Sequence, residues 1–211
     1  MQNPVRGFLH GTAALAALAG SVFMAMRVRS TGARIAAVVF GLAMVALYTT
    51  SSLYHSIPWQ ERWKRRMQRL DHSMIFVLIA GTYTPVASIA LDGWLRAVTL
   101  SVVWVIAAVG IGQQILRPRQ HNSFAIALMT TMGWLGILIM IPLGQRVGIP
   151  AVIFMVAGGV LYTVGMVFLV TNRPRLWPRV FSYHELFHVM VVAATGFHFF
   201  TTWRYVFPLA N

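Results

Sequence analysis

Residues 150–171, PAVIFMVAGGVLYTVGMVFLVT, contain no charged side chain. A backbone that must satisfy all its hydrogen bonds in hydrocarbon does so as a helix, and about 20 residues are enough to cross a bilayer. Working outward from this run, comparable apolar stretches place spans at 8–26, 35–55, 70–91, 94–116, 122–141, 150–171 and 184–207. Seven spans consume most of the 211 residues and leave only short loops. The expected fold is an all-α integral membrane protein: one seven-transmembrane helix bundle over residues 1–211, multi-pass in the cell membrane, with the lipid bilayer as its first partner. Only Arg6 carries charge ahead of the Ala-rich first run, which is read as a retained span rather than a cleaved signal.

Composition agrees. Hydrophobic residues make up 58% and charged residues 10%, with a mean hydropathy of +0.69, whereas a soluble domain carries about 25% charged residues. The absence of cysteine excludes disulfides, thiolate nucleophiles and Cys-ligated zinc or iron–sulfur clusters, so any metal must be held by His and carboxylate. The net charge of +13 comes from Lys and Arg spread through loops, which is a topology signal rather than a nucleic-acid footprint; no nucleic-acid partner is expected. Eleven of the seventeen basic residues fall on the side of the N-terminus and six on the other. The positive-inside rule therefore puts the N-terminus in the cytoplasm and the C-terminus outside. Of the prolines, only Pro85 lies inside a span, where it predicts a kink and a freed carbonyl for neighbours, threonines or water to satisfy.

Ionisable groups in spans are costly and mark function. The acids are only Glu61, Asp71, Asp92 and Glu185. His55 closes span two, Asp71 and His72 open span three, and His184 and His188 open span seven, so all gather at the expected cytoplasmic end. His184 and His188 are spaced to share one helix face and grip one ion. With His55 they make three imidazoles, which suits tetrahedral zinc with an open fourth position. Ser51 repeats the spacing ahead of His55, and its hydroxyl either supports the site or bonds back to its own helix. His10, His72 and His121 read as interfacial side chains and stay off the ligand set. His198 lies about 15 Å beyond His188 on nearly the same face; it is either a cavity-lining residue or an ordinary buried histidine.

His184-Glu185-Leu186-Phe187-His188 also matches H-E-x-x-H, in which Glu is the general base of a metalloprotease. Intramembrane metalloproteases add a later Leu-Asp-Gly, yet Leu91-Asp92-Gly93 precedes the histidines here and belongs at the opposite membrane face. Asp92 is thus excluded as a ligand. Glu185 points about 100° away from His184 around the helix, and a surface role toward the basic cytoplasmic side is expected for it.

Ser51-Ser52-Leu53-Tyr54-His55, Leu70-Asp71-His72-Ser73 with Ala80-Gly81-Thr82-Tyr83-Thr84-Pro85, and His184-Glu185-Leu186-Phe187-His188 together resemble the bacterial hemolysin III family. That family belongs with the progestin and adipoQ receptors and is distantly similar to alkaline ceramidases. The resemblance implies zinc on His55, His184 and His188, with Asp71 holding or activating the zinc water and Ser51 beside it. One departure stands at the start: the family usually carries an acidic residue and an Asn shortly before the first-span His, whereas here Arg6 precedes His10. The distant ceramidase link implies a zinc-dependent hydrolase of lipid amides, with Asp71 and Ser51 as its catalytic residues and a lipid as substrate. The receptor relatives and the hemolysin name imply instead a receptor-like or membrane-perturbing, cytolytic protein with a structural zinc. Spans four to six offer few polar residues beyond Gln113 and Gln114, which argues against a passive pore.

Overall fold

The computed structural model describes residues 4–116, 123–177 and 180–211. The chain forms α1 (Pro4–Arg27), α2 (Thr31–Ser56), α3 (Glu61–Ala90), α4 (Gly93–Leu116), α5 (Ser123–Trp134), α6 (Met140–Val147), α7 (Ile149–Thr171) and α8 (Tyr183–Thr201). A 3-10 segment, Leu135–Ile139, joins α5 to α6 in one span, and a π turn, Thr202–Val206, with a 3-10 turn, Phe207–Ala210, extends α8. Among the described residues, seven helical segments are long and apolar enough to cross a membrane. The protein is a seven-helix, multi-pass membrane bundle.

The charge-free run that opens the reading shows how the bundle closes. Pro150 sits in the first turn of α7, where its missing N–H is harmless, just after Gly148, whose φ of 85° turns the chain out of α6. Only Ala151, Gly158 and Gly165 are buried on α7, one small residue every two turns. This stripe lets α8 approach closely: a Cβ on Gly165 would stand 2.9 Å from that of Met190, and one on Gly158 would stand 2.7 Å from His198 Nε2. Ile153, Val156, Val160, Val164, Val167 and Val170 are exposed, as an outer face against lipid should be.

Two features differ from the sequence reading. Helix α3 begins at Glu61 rather than near 70, because the basic stretch through Arg69 consists of good helix formers that propagate the helix beyond the apolar span. Glu61 sits in its first turn, favourable for the helix dipole, and pairs with Arg65 at 3.3 Å. The fifth span is also broken at Trp134. The Tyr83 hydroxyl, buried from α3, lies 3.0 Å from both the Met132 and Gly133 carbonyls, and so satisfies backbone that the tighter turn releases. At Pro85 the hydroxyls of Thr82 and Thr84 donate at 2.8 Å to the Leu78 and Ala80 carbonyls, and Trp104 Nε1 donates to Thr84.

Consecutive helices pack side by side, α1 on α2, α2 on α3, α3 on α4 and α7 on α8, and α1 also meets α8. One apolar core lies among α3, α4 and the α5–α6 span; the other joins α1, α2, α3 and α8. The second core underlies the histidines. On the opposite face of the bundle, Asp92 is paired with Arg96 at 3.1 Å and with Arg146, which leaves it no part in the histidine cluster.

Candidate metal centre

Local sequence fixes where each histidine stands. Helix α2 must stop before Pro58, and Ile57 takes the extended conformation that a residue preceding proline prefers (φ −90°, ψ 134°), so His55 occupies the last turn. Helix α8 starts at a capping box: the Ser182 side chain accepts from the third backbone N–H, and Glu185 Oε2 accepts from the Ser182 N–H at 2.8 Å. That start places His184 and His188 on the first two turns, facing the end of α2.

The ring centroids are 5.4 Å apart for His55 and His184, 4.9 Å for His55 and His188, and 5.0 Å for His184 and His188. One nitrogen from each lies within 4.8 Å of the others. Two nitrogens on a tetrahedral zinc stand about 3.4 Å apart, so ring rotations of modest size would bring the three to one ion. His55 and His188 are buried and His184 half-buried. This group could hold a metal ion, and the buried His188 Nδ1, which has no hydrogen-bond partner, is the kind of orphan that bound metal and its surroundings resolve.

Asp71 and Ser51 are both buried. The Ser51 hydroxyl lies against the Asp71 carboxyl across the α2–α3 contact, and Ser51 is one turn of α2 away from His55. Asp71 therefore stands about one helical turn, roughly 6 Å, from the level of His55. Asp71 is not a member of the histidine group itself. His72, next to it, is half-buried.

Two expectations change. Glu185 is buried, not on a surface: it pairs with Arg6 at 2.7 Å while capping its own helix. Both carboxylate oxygens are thereby engaged, which leaves Glu185 no role as a metalloprotease base. Replacing it with Gln keeps the capping box, which accepts Glu or Gln, and removes only the charged bond to Arg6. Glu185→Gln is expected to lower stability by roughly 1.5–3 kcal/mol, read as a lower midpoint in a thermal melt.

His10 is buried rather than interfacial, with its ring 4.0 Å from that of His188 and 5.1 Å from that of Tyr48. A lone histidine in an Ala-rich run carries no spacing signal, so only the α1–α8 contact reveals it. His198 is half-buried and stacks on Tyr162 with ring centroids 5.8 Å apart and planes within 17°, next to the Tyr162–Thr195 hydroxyl pair at 2.6 Å. His121 lies outside the described residues.

Comparison with known proteins places these features. The sequence pattern described as "Haemolysin-III related" matches residues 1–199. The chain is 32% identical over 205 residues to "Hemolysin-3" of Bacillus cereus, covering 96% of this chain and 90% of that protein. It is 31% identical over 194 residues to "Hemolysin-3 homolog" of Bacillus subtilis (strain 168), covering 90% and 88%. The human "Monocyte to macrophage differentiation factor" is 22% identical over 204 residues, covering 95% of this chain and 82% of its own length.

Proposed function

We propose that the chain, which belongs to the Haemolysin-III related family, is a zinc-dependent hydrolase of long-chain lipid amides, ceramide-like in class. The observation that carries this reading is the convergence of three imidazoles at the adjoining ends of α2 and α8, with the buried Asp71–Ser51 pair about one turn away. The donor set fits zinc: three neutral nitrogens with no carboxylate or thiolate is the set used where a fourth position stays open.

His55, His184 and His188 would hold the ion. Zinc so bound supplies a Lewis acid for a carbonyl oxygen and makes water acidic near neutral pH. Asp71 is the acid placed to manage protons: a carboxylate oxygen takes a proton from water as its oxygen adds to the amide carbon, and returns it to the amine nitrogen as the C–N bond breaks. Ser51 holds that carboxyl in place. The apolar core of α1, α2, α3 and α8 excludes bulk water beneath the site. A centre at the depth of one leaflet, reached between helices, meets acyl amides and esters of membrane lipids before it meets soluble metabolites.

The basic residues support a cytoplasmic placement of this end, N-terminus inside and C-terminus outside. A C-terminal alkaline phosphatase fusion is expected to be active and a C-terminal green fluorescent fusion dark; the reverse pattern overturns the orientation. For the activity, zinc-replete protein purified in detergent is incubated with a panel of lipid amides and esters, and release of fatty acid from the amides is expected. If none is cleaved while zinc and a lipid remain bound, the receptor-like reading with a structural zinc replaces the hydrolase.

A further inference from the structure

Helix α7 is uncharged throughout, and the loop that follows it toward α8 carries Arg173 and Arg175. A cavity of about 650 Å³ opens at this point, lined by Val167, Phe168, Thr171, Arg173, Pro174 and Arg175. That volume lies within the roughly 300–1,000 Å³ of small-ligand sites. Its walls divide by chemistry. Val167 and Phe168 belong to the apolar end of the span, with Val167 on the outer face, whereas both arginines are exposed beyond it.

The chain has no acid to spare for these two arginines. Glu61 pairs with Arg65, Asp92 with Arg96 and Arg146, and Glu185 with Arg6, while Asp71 is buried against Ser51. Those four are all its acidic side chains. The guanidinium forks of Arg173 and Arg175, whose geometry matches phosphate oxygens in pairs, are thus left for an anion from outside the chain. The neighbouring side chains identify its source. Leu176, Trp177 and Val180 are exposed and apolar beside the arginines, and tryptophan among basic residues at the end of a span marks the level of the lipid headgroups. We propose that the cavity binds one anionic phospholipid, with its phosphate on Arg173 and Arg175 and the start of its acyl chains along Val167 and Phe168. The site is separate from the histidine group and needs no metal. Its wall is fastened to the start of α8, because the Ser182 hydroxyl, which caps that helix, also donates to the Pro174 carbonyl at 3.2 Å.

The test uses full-length protein, delipidated in a neutral detergent so that no charged bilayer surface competes. It is titrated with phosphatidylglycerol, phosphatidylcholine or inorganic phosphate, and binding is read by native mass spectrometry and by the melting temperature. The wild type is expected to hold one phosphatidylglycerol more tightly than phosphatidylcholine and to melt higher with it. Arg173→Gln with Arg175→Gln is expected to weaken that binding by about 10–100-fold, the range for losing charge-assisted hydrogen bonds. Arg62→Gln with Arg66→Gln, which removes the same charge from the exposed start of α3, is expected to stay close to wild type. Equal loss in both pairs overturns the site and leaves only diffuse attraction to basic residues. Equal retention of the two lipids by the wild type, or of neither, also overturns it. Inorganic phosphate that raises the melt as far as phosphatidylglycerol does would make the ligand a soluble anion and overturn the lipid. Should the first pair fail to fold, Arg173→Gln and Arg175→Gln are measured singly: weaker binding in either supports the site, and wild-type affinity in both overturns it.

Discussion

A chain carrying His184→Ala and His188→Ala together is expected to purify without zinc, whereas the wild type retains it through detergent exchange. Both residues sit on one face of α8, within ring distance of each other and of His55, and removing them leaves one of the three grouped imidazoles. One histidine cannot compete with water and buffer for a divalent ion, so the loss should exceed the about 10–100-fold that follows from disturbing a group behind a ligand. The fold should survive the change. The start of α8 is set by Ser182 and Glu185 and not by the histidines, and the close approaches of Gly158 to His198 and of Gly165 to Phe187 and Met190 involve neither substituted residue. Mass-spectrometric metal content beside a thermal melt separates the cases: a folded double variant that still holds zinc as wild type does would show that the ion, if bound, lies elsewhere.

The spans and the histidine group are readable before any coordinates because each depends on a short-range regularity. An uncharged run such as 150–171 has only one way to satisfy its backbone in lipid, and residues four apart on a helix must share a face. What escaped reading depends on contacts between distant segments. His10 looks like any isolated histidine until α1 is packed against α8, and nothing near it in sequence distinguishes it from His121. Glu185 shows the same limit in a sharper form: helical geometry correctly turns it away from His184, but whether that direction leads to solvent or to Arg6, 179 residues earlier, is a tertiary fact. The early start of α3 has a different origin, since span reading by hydropathy stops where charges begin, while helix propensity does not. The break at Trp134 is tied to Tyr83, whose hydroxyl reaches the carbonyls from another helix.

Asp71→Asn separates a chemical site from a clasp. If zinc merely ties the end of α2 to the start of α8, Asp71 serves only to orient its surroundings. Asn, nearly the same size and still able to accept from Ser51, should then cost little. If Asp71 takes a proton from water and hands it to the leaving amine, Asn cannot perform either transfer, and the rate falls by about 10²–10⁴, equivalent to about 2.7–5.4 kcal/mol of barrier at 1.36 kcal/mol per tenfold. The burial of Asp71 sharpens the contrast, because bulk water does not reach the position to supply a substitute base. Metal content must be held constant for the comparison, since a group behind the ligands can weaken binding by about 10–100-fold and mimic a catalytic defect in zinc-poor protein. With zinc saturating, the expected outcome is a folded, metal-loaded Asp71→Asn chain with fatty-acid release reduced by about two to four orders of magnitude. Ser51→Ala, which frees the carboxyl from its restraint but leaves the base in place, should lie between this variant and wild type. A fully active Asp71→Asn chain would remove the carboxylate from the chemistry and leave zinc as the tie between α2 and α8.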